Sequence, residues 1–220
     1  EVDYEVGAAP YVGRAGQFED VWNLFRTNTT ALFEGKKAVS FPTKREDMES
    51  FDDVSVSEFT VDDIVTIANA HRTEASSGDT VTFYVVFLNG YFKNADGVVS
   101  DTTLGVSVGT TGIIALFKPA IAATAVPKTA VAQFVEQSTL IHELGHAVGF
   151  VNNGVPVNSD HHDAANGAHC TNNQCVMYWA NEGAKDAVEF VRRYIIGGDP
   201  VLYGQECLSD ARILENKLQP

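Results

Sequence analysis

Apolar side chains recur every three to four residues in several parts of the chain, and each of these parts predicts a helix. In residues 17–33, for example, Phe18, Val21 and Phe25 share one face, so a helix is predicted over at least the first half. Another such segment opens with Thr60 and two acids, the pattern of a capped helix start. The predicted helices lie within residues 17–33, 60–71, 128–149, 184–196 and 207–218.

Runs of β-branched and aromatic residues predict strands before the long third helix. Residues 80–88 are apolar almost throughout, which indicates a strand buried on both faces. The first 16 residues are interrupted by glycines and predict a tail or an irregular segment, while residues 119–127 predict an Ala-rich connection. The predicted strands are residues 38–42, 80–88, 103–108 and 111–117. This arrangement of helices and strands predicts an α+β fold.

Composition and charge narrow the possible partners. The chain has 220 residues, 45% of them hydrophobic, and no stretch of about 20 apolar residues, so we expect no transmembrane segment. The formal net charge of −14 disfavours nucleic acid or an anionic membrane as a partner. We expect a monomer. Because Glu1 opens the chain without a signal-peptide pattern, we expect a trimmed chain, secreted or held at the cell surface or in the periplasm after removal of a targeting segment.

An H-E-x-x-H motif at residues 142–146 carries the most specific chemistry in the sequence. In a helix, four residues bring His146 back to the face of His142, so both imidazoles can bind one tetrahedral Zn²⁺. Glu143 can then reach the water that such a metal activates and act as a general base. Apolar residues flank the motif, which indicates a largely buried helix where unpaired histidines would be costly without a metal.

Gly149 extends the motif to H-E-x-x-H-x-x-G, and a glycine here suits a helix end followed by a sharp change of direction. The segment resembles the motif of the metzincin clan of zinc peptidases, in which a residue beyond the glycine supplies a third zinc ligand. A second hallmark of that clan is a tight Met-containing turn under the zinc. Met177, in the Cys-Val-Met-Tyr segment of residues 175–178, is the candidate.

The third ligand is left between two histidines. The position three residues after Gly149 holds Asn152, which is a poor zinc ligand. His169 opens a His-Cys-x4-Cys-x-Met pattern that resembles archaemetzincins, and its step to Met177 (177 − 169 = 8) equals the ligand-to-Met step of matrixins. We therefore place His169 first, with His161 of a His-His-Asp cluster as the alternative. The alignment implies that a loop is inserted before His169.

The resemblance implies a fold, an activity and a substrate. The fold would be a metzincin-like zincin with a twisted mixed sheet, an active-site helix, a Met-turn and a C-terminal helix. It would form one catalytic domain over residues 1–220, with an upper part to about 150 and a lower part after it. The activity would be zinc-dependent cleavage of a protein or peptide, and Ile113–Phe117 would be the edge strand that pairs with the substrate. The motif layout also resembles secreted or membrane-attached bacterial metalloproteases.

The cysteines raise a further expectation. Archaemetzincins use theirs for a second, structural zinc completed by a later C-x-x-C, whereas here Cys207 stands alone. We therefore expect Cys170 and Cys175, which flank a four-residue loop, to form a disulfide, as would suit an exported protein. Cys207 would then be a buried small apolar residue or pair differently.

A polar loop and the motif itself leave alternatives open. Asn94, Asp96 and Asp101 offer oxygen ligands for Ca²⁺, although their loose spacing also fits a solvated turn. Besides an endopeptidase, the motif fits a zinc-dependent hydrolase of a non-protein amide. It also fits a zinc-bearing binding module without turnover.

Overall fold

The computed structural model describes residues 1–16, 18–52, 54–126 and 129–217, apart from the side chains of residues 194–197 and 213–217. The strands described are β1 (Val2–Glu5), β2 (Glu49–Phe51), β3 (Glu58–Phe59), β4 (Tyr84–Leu88), β5 (Tyr91–Lys93), β6 (Val99–Ser100), β7 (Gly105–Ser107) and β8 (Ile113–Phe117). The α-helices described are α1 (Trp22–Leu32), α2 (Val61–His71), α3 (Lys118–Ala123), α4 (Thr129–Ala147), α5 (Ala184–Gly197) and α6 (Gln205–Lys217). The α+β prediction is confirmed.

The main sheet has five strands in the order β2-β1-β4-β8-β7. Neighbouring strands are parallel, except that β7 runs antiparallel to β8. Every residue of β4 and of β8 is buried, because each strand has a partner on either side and helices α2 and α4 pack on β8. The predicted mixed sheet is therefore present, with its core at β4 and β8.

The edge strand next to α4 is β7. The prediction that Ile113–Phe117 forms this edge is wrong, because β8 lies between β4 and β7. The chain turns back after β7 at Gly109 and Gly112, both with positive φ, so the later strand inserts on the inner side of the earlier one. The outer side of β7 ends the sheet in the part of the chain that the structure describes.

The first residues form a strand instead of the expected tail. β1 lies between β2 and β4, with Val2 opposite Val85. A strand of four residues carries little periodic signal, and its partners are distant in sequence, so the hydrophobic pattern could not reveal it. Conversely, residues 38–42 do not form the predicted strand, and Phe41 stacks on Trp22 of α1 with 5.9 Å between ring centroids.

Helix α4 is the central helix, and all its residues from Phe134 to Gly145 are buried. Its buried Glu136 pairs with Lys118 and accepts the N–H of Tyr11 at 2.7 Å. The predicted start near Lys128 lies outside the described residues, as does Leu218 at the predicted end of the last helix. Within the predicted 119–127 connection the structure has α3. No helix in the described ranges is long and apolar enough to cross a bilayer.

Local hydrogen bonds stabilise the start of α2 and the turn that begins at Asn94. Thr60 caps α2 as predicted, because its Oγ1 accepts the N–H of Asp63, whose carboxylate accepts the N–H of Thr60 in return. Asn94 Oδ1 accepts the N–H groups of Asp96 and Val98 in a turn, at 3.1 and 2.9 Å. Asp96 and Asp101 join no metal-like cluster of the described residues, so the calcium prediction gains no support.

Candidate metal centre

The two histidines of the H-E-x-x-H motif face the same point from consecutive turns of α4. The Nε2 atoms of His142 and His146 lie 3.0 Å apart. His142 is 1% exposed, and the side chain of His146 is 12% exposed. The predicted helical geometry is therefore present, and it brings two imidazole nitrogens together in a buried place.

His169 completes the group from the loop after a short 3-10 helix, Ala164–Asn166. Its ring centroid lies 5.3 Å from that of His142 and 4.9 Å from that of His146. The Nε2 atom of His169 is buried and makes no well-aligned hydrogen bond among the described residues, although Glu182 Oε1 lies 3.0 Å from it. The structure thus brings together His142, His146 and His169, the three histidines preferred as zinc ligands from the sequence.

Backbone carbonyls set the direction of two of these rings. His142 Nδ1 lies 2.6 Å from the carbonyl oxygen of Val176, and His169 Nδ1 lies 2.5 Å from that of Asn166. A ring that donates its Nδ1–H to a carbonyl keeps the lone pair on Nε2. In both rings this nitrogen is the one directed at the cluster.

Glu143 is buried beside this cluster, at 2% exposure. Burial raises the pKa of its carboxyl to about 7, although His142 and the main-chain N–H of Ser107 lower it. Ser107 belongs to the edge strand β7, and Gly105 in the same strand leaves space for the Glu143 side chain. Glu143 therefore lies between the histidines and the open edge of the sheet, with a pKa suited to accepting and returning a proton.

Glu182 is a fourth group at the cluster that sequence reasoning missed. Its Oε1 lies 3.0 Å from His169 Nε2 and 3.9 Å from Nε2 of both His142 and His146. It ends a 3-10 helix, Trp179–Glu182, shortly after Met177. Its closeness in sequence to the Met-containing turn was the one available signal.

Burial and neighbouring charges shift the pKa values of three groups in the cluster. Burial alone would raise the pKa of Glu182, but His142 and His169 hold it well below its usual range. Burial likewise opposes charge on His142, yet Glu182 and Glu143 raise its pKa. Burial and the other two histidines lower the pKa of His146 to about 3. The Glu182 carboxylate therefore places a negative charge beside the three histidines, as a cation-binding group does.

Met177 lies in a tight turn beneath the cluster. The N–H of Tyr178 donates to the carbonyl of Cys175 at 3.0 Å, which closes the turn, and Asn181 Nδ2 donates to the carbonyls of Cys175 and Val176. The Met177 side chain is fully buried against Gly145 of α4. The turn therefore supports α4 between its two histidines.

A second cluster contains His161 and the three cysteines, which are all free and buried. The predicted Cys170–Cys175 disulfide is not formed. Instead, Cys207 of α6 lies 3.6 Å from Cys175 between sulfurs, and Cys170 Sγ lies 3.4 Å from His161 Nδ1. Asp210 Oδ2 lies 2.8 Å from His161 Nε2. The alternative third ligand, His161, is thus held in this second cluster, away from His142 and His146.

No protein-family model and no curated protein matches this chain. Among solved structures, the archaemetzincin from Methanopyrus kandleri is similar to it in fold, with a TM-score of 0.51 and 12% sequence identity. The similarity covers 100% of this chain and 95% of that chain. The described chain therefore has an α+β fold similar to that of archaemetzincin, together with a histidine-rich group able to hold zinc.

Proposed function

We propose that this protein is a zinc-dependent endopeptidase. The observation that carries the proposal is the convergence of three buried imidazole nitrogens, from His142, His146 and His169, beside the buried carboxyl of Glu143. The similarity to the archaemetzincin fold supports it. In this proposal the three histidines hold the metal and Met177 occupies the turn beneath it.

The donor set fits Zn²⁺. Neutral imidazole nitrogens are common zinc ligands. The other ring nitrogen of such a histidine usually donates a hydrogen bond to a carbonyl or carboxylate, which fixes the ring. His142 and His169 both have that contact with a backbone carbonyl. Because Nδ1–H of His169 donates to the Asn166 carbonyl, the lone pair of its buried Nε2 would otherwise face the Glu182 carboxylate oxygen at 3.0 Å with no hydrogen between them. A cation held by the three nitrogens removes this repulsion.

Zinc bound here would supply Lewis-acid activation of water and of the scissile carbonyl. Glu143 would accept the proton from the attacking water and pass it to the leaving amine. Its pKa of about 7 suits both transfers, because the group must be ionised to accept the proton and must release it again. Its burial excludes competing bulk water from the carboxyl.

The edge strand gives a place for an extended substrate. The outer side of β7 is open to main-chain pairing, and a peptide laid along it would extend the sheet. Ser107 in β7 contacts Glu143 through its N–H, so a peptide on this edge passes close to the proposed base. We therefore propose that β7 takes the role expected for Ile113–Phe117.

We also propose that the second cluster holds a structural zinc through His161, Cys170 and Cys207, whose ligand atoms lie within 4.8 Å of one another, with Cys175, 3.6 Å from Cys207 between sulfurs, as the fourth ligand. Three sulfurs and one nitrogen form a common closed zinc site. Asp210 orients His161 through Nε2, which leaves Nδ1 for the metal. The neighbouring thiols, Cys175 and Cys207, lower the pKa of the Cys170 thiol while their own pKa values are raised, so Cys170 is the thiol that most readily supplies a thiolate ligand.

The test combines metal content with cleavage of casein, with and without 1,10-phenanthroline, for the wild type and Glu143→Gln. We expect Glu143→Gln to lose at least about 100-fold in activity and to keep its zinc, since the base alone is removed. Glu189→Gln, which alters an exposed glutamate on α5, serves as the control. Normal casein cleavage by Glu143→Gln would refute the role of Glu143. Zinc binding without casein cleavage by the wild type would favour the non-protein hydrolase or the binding module.

A further inference from the structure

The four groups at the metal centre have the spacing of a closed tetrahedral site. Zinc–nitrogen bonds of 2.0–2.1 Å place the donors of a tetrahedron about 3.4 Å apart. Glu182 Oε1 lies 3.0, 3.9 and 3.9 Å from the three Nε2 atoms, and the two histidines of α4 are 3.0 Å apart at Nε2. These distances scatter around the tetrahedral value. The Glu182 oxygen therefore stands where a fourth ligand would stand.

The two carboxyl groups at the centre differ in position and accessibility. Glu143 is 2% exposed and is directed at Ser107 of β7. The side chain of Glu182 is 50% exposed. It faces the histidines from the short 3-10 helix that follows Met177. A half-exposed side chain at the end of a short 3-10 helix can leave its position without disturbing the core. The Glu182 side chain can therefore move away from the histidines and return, whereas the buried Glu143 side chain is held in place.

Backbone contacts join the residues around Glu182 to the segment that leads into β7. Gly183 forms a β-bridge with Thr103, and the N–H of Ala184 donates to the carbonyl of Thr102 at 3.1 Å. The carbonyl of Glu182 accepts the N–H of Leu104 at 3.4 Å. A peptide that pairs with β7 therefore binds next to the segment that carries Glu182.

We propose that Glu182 is a displaceable fourth ligand that closes the metal site in the substrate-free protein. Catalytic zinc sites keep one position for water or substrate, whereas closed four-ligand sites are structural. The Glu182 carboxylate holds that position until a peptide on β7 or a competing ligand displaces it. The inference rests on the metal site proposed above and adds to it a regulated access.

The experiment compares Glu182→Gln and Glu182→Ala with Glu189→Gln, which alters an exposed glutamate outside the cluster. Zinc affinity is measured by chelator competition, and the Co²⁺-loaded proteins are compared by visible absorption. Loss of a ligand should weaken zinc binding roughly 10–100-fold or more in both Glu182 variants and change the Co²⁺ spectrum. Glu189→Gln should resemble the wild type, and thermal unfolding reports whether each variant is folded.

Acetohydroxamate, a small zinc-binding probe, tests the closure itself. It should bind the loaded Glu182 variants about tenfold or more tightly than the loaded wild type, because no carboxylate has to be displaced. Unchanged zinc affinity, Co²⁺ spectrum and acetohydroxamate affinity would overturn the proposal, even if the wild type cleaves casein. If these three quantities change and no variant cleaves casein, Glu182 is the fourth ligand and the peptidase assignment fails instead.

Discussion

Gly145 and Met177 touch so closely that any side chain at position 145 would require the Met177 side chain to move. A Cβ placed on Gly145 would lie 2.3 Å from Met177 Sδ and 3.0 Å from Met177 Cε. Gly145 stands between His142 and His146, so the missing side chain lets the turn with Met177 reach the helix directly under the cluster. Gly145 lies inside α4, so this contact explains why the position has no side chain.

Replacing Gly145 by Ala should destabilise the protein although Ala favours helix more than Gly does. The helix preference contributes about 1 kcal/mol in favour of Ala, while the clash with Met177 costs about 1–3 kcal/mol and displaces the turn. We expect a net loss in urea unfolding and weaker zinc binding. In the Met177→Ala background the same change should be neutral or stabilising. Equal effects of Gly145→Ala in both backgrounds would contradict the contact as its cause.

The two candidate third ligands predict different losses of metal. His169→Ala should remove the metal of the first cluster and abolish casein cleavage. His161→Ala should remove the metal of the second cluster and lower the melting temperature, because His161 lies with the cysteines. Metal analysis of each variant decides the matter, with His162→Ala as the control, since the side chain of His162 is half-buried and contacts only the carbonyl of Gly167 among the hydrogen bonds described. Loss of cleavage only in His161→Ala would contradict the assignment.

Local sequence was enough for one half of the site. His142 and His146 are four residues apart on one helix, so periodicity alone brings them together. His169 required a resemblance, because the loop before it has no periodic pattern. Glu182 and Cys207 arrive through tertiary packing, and neither has a spacing that marks it as part of a cluster.

The sheet shows the same limit. The apolar run of residues 80–88 predicts a buried strand and residues 111–117 predict another strand, and the structure has both as β4 and β8. Strand order does not follow chain order, however, so the edge was assigned to β8 when the hairpin places β7 outside it. β1 could not be predicted from its residue pattern, because its charged residues Asp3 and Glu5 suggest exposure although both are buried in this interior strand.

The buried pair of Lys118 and Glu136 should be sensitive to the loss of one partner. Lys118 Nζ also lies 3.4 Å from the centroid of the Tyr11 ring. Lys118→Met leaves the Glu136 carboxyl unpaired and should cost about 3–5 kcal/mol in urea unfolding, while Lys118→Met with Glu136→Met should cost less. Lys93→Met breaks the exposed pair with Glu58 and should cost less than about 1 kcal/mol. Similar losses of unfolding free energy from Lys118→Met and Lys93→Met would show that the buried ion pair stabilises the protein no more than the exposed one.

Asp3 should make stability fall as the pH rises. Burial raises the pKa of this carboxyl to about 6 from 3.8, against a smaller effect of the Tyr84 hydroxyl, and Oδ2 has no hydrogen-bond partner among the described residues. A raised pKa adds stability that is complete below about pH 4 and is lost as the pH passes 6. Asp3→Asn should remove this slope and be about 1–2 kcal/mol more stable than the wild type at pH 7, allowing for solvent screening. Urea unfolding from pH 4 to 8, with exposed Asp96→Asn as the control, measures the difference, and parallel pH curves for Asp3→Asn and the wild type would contradict it.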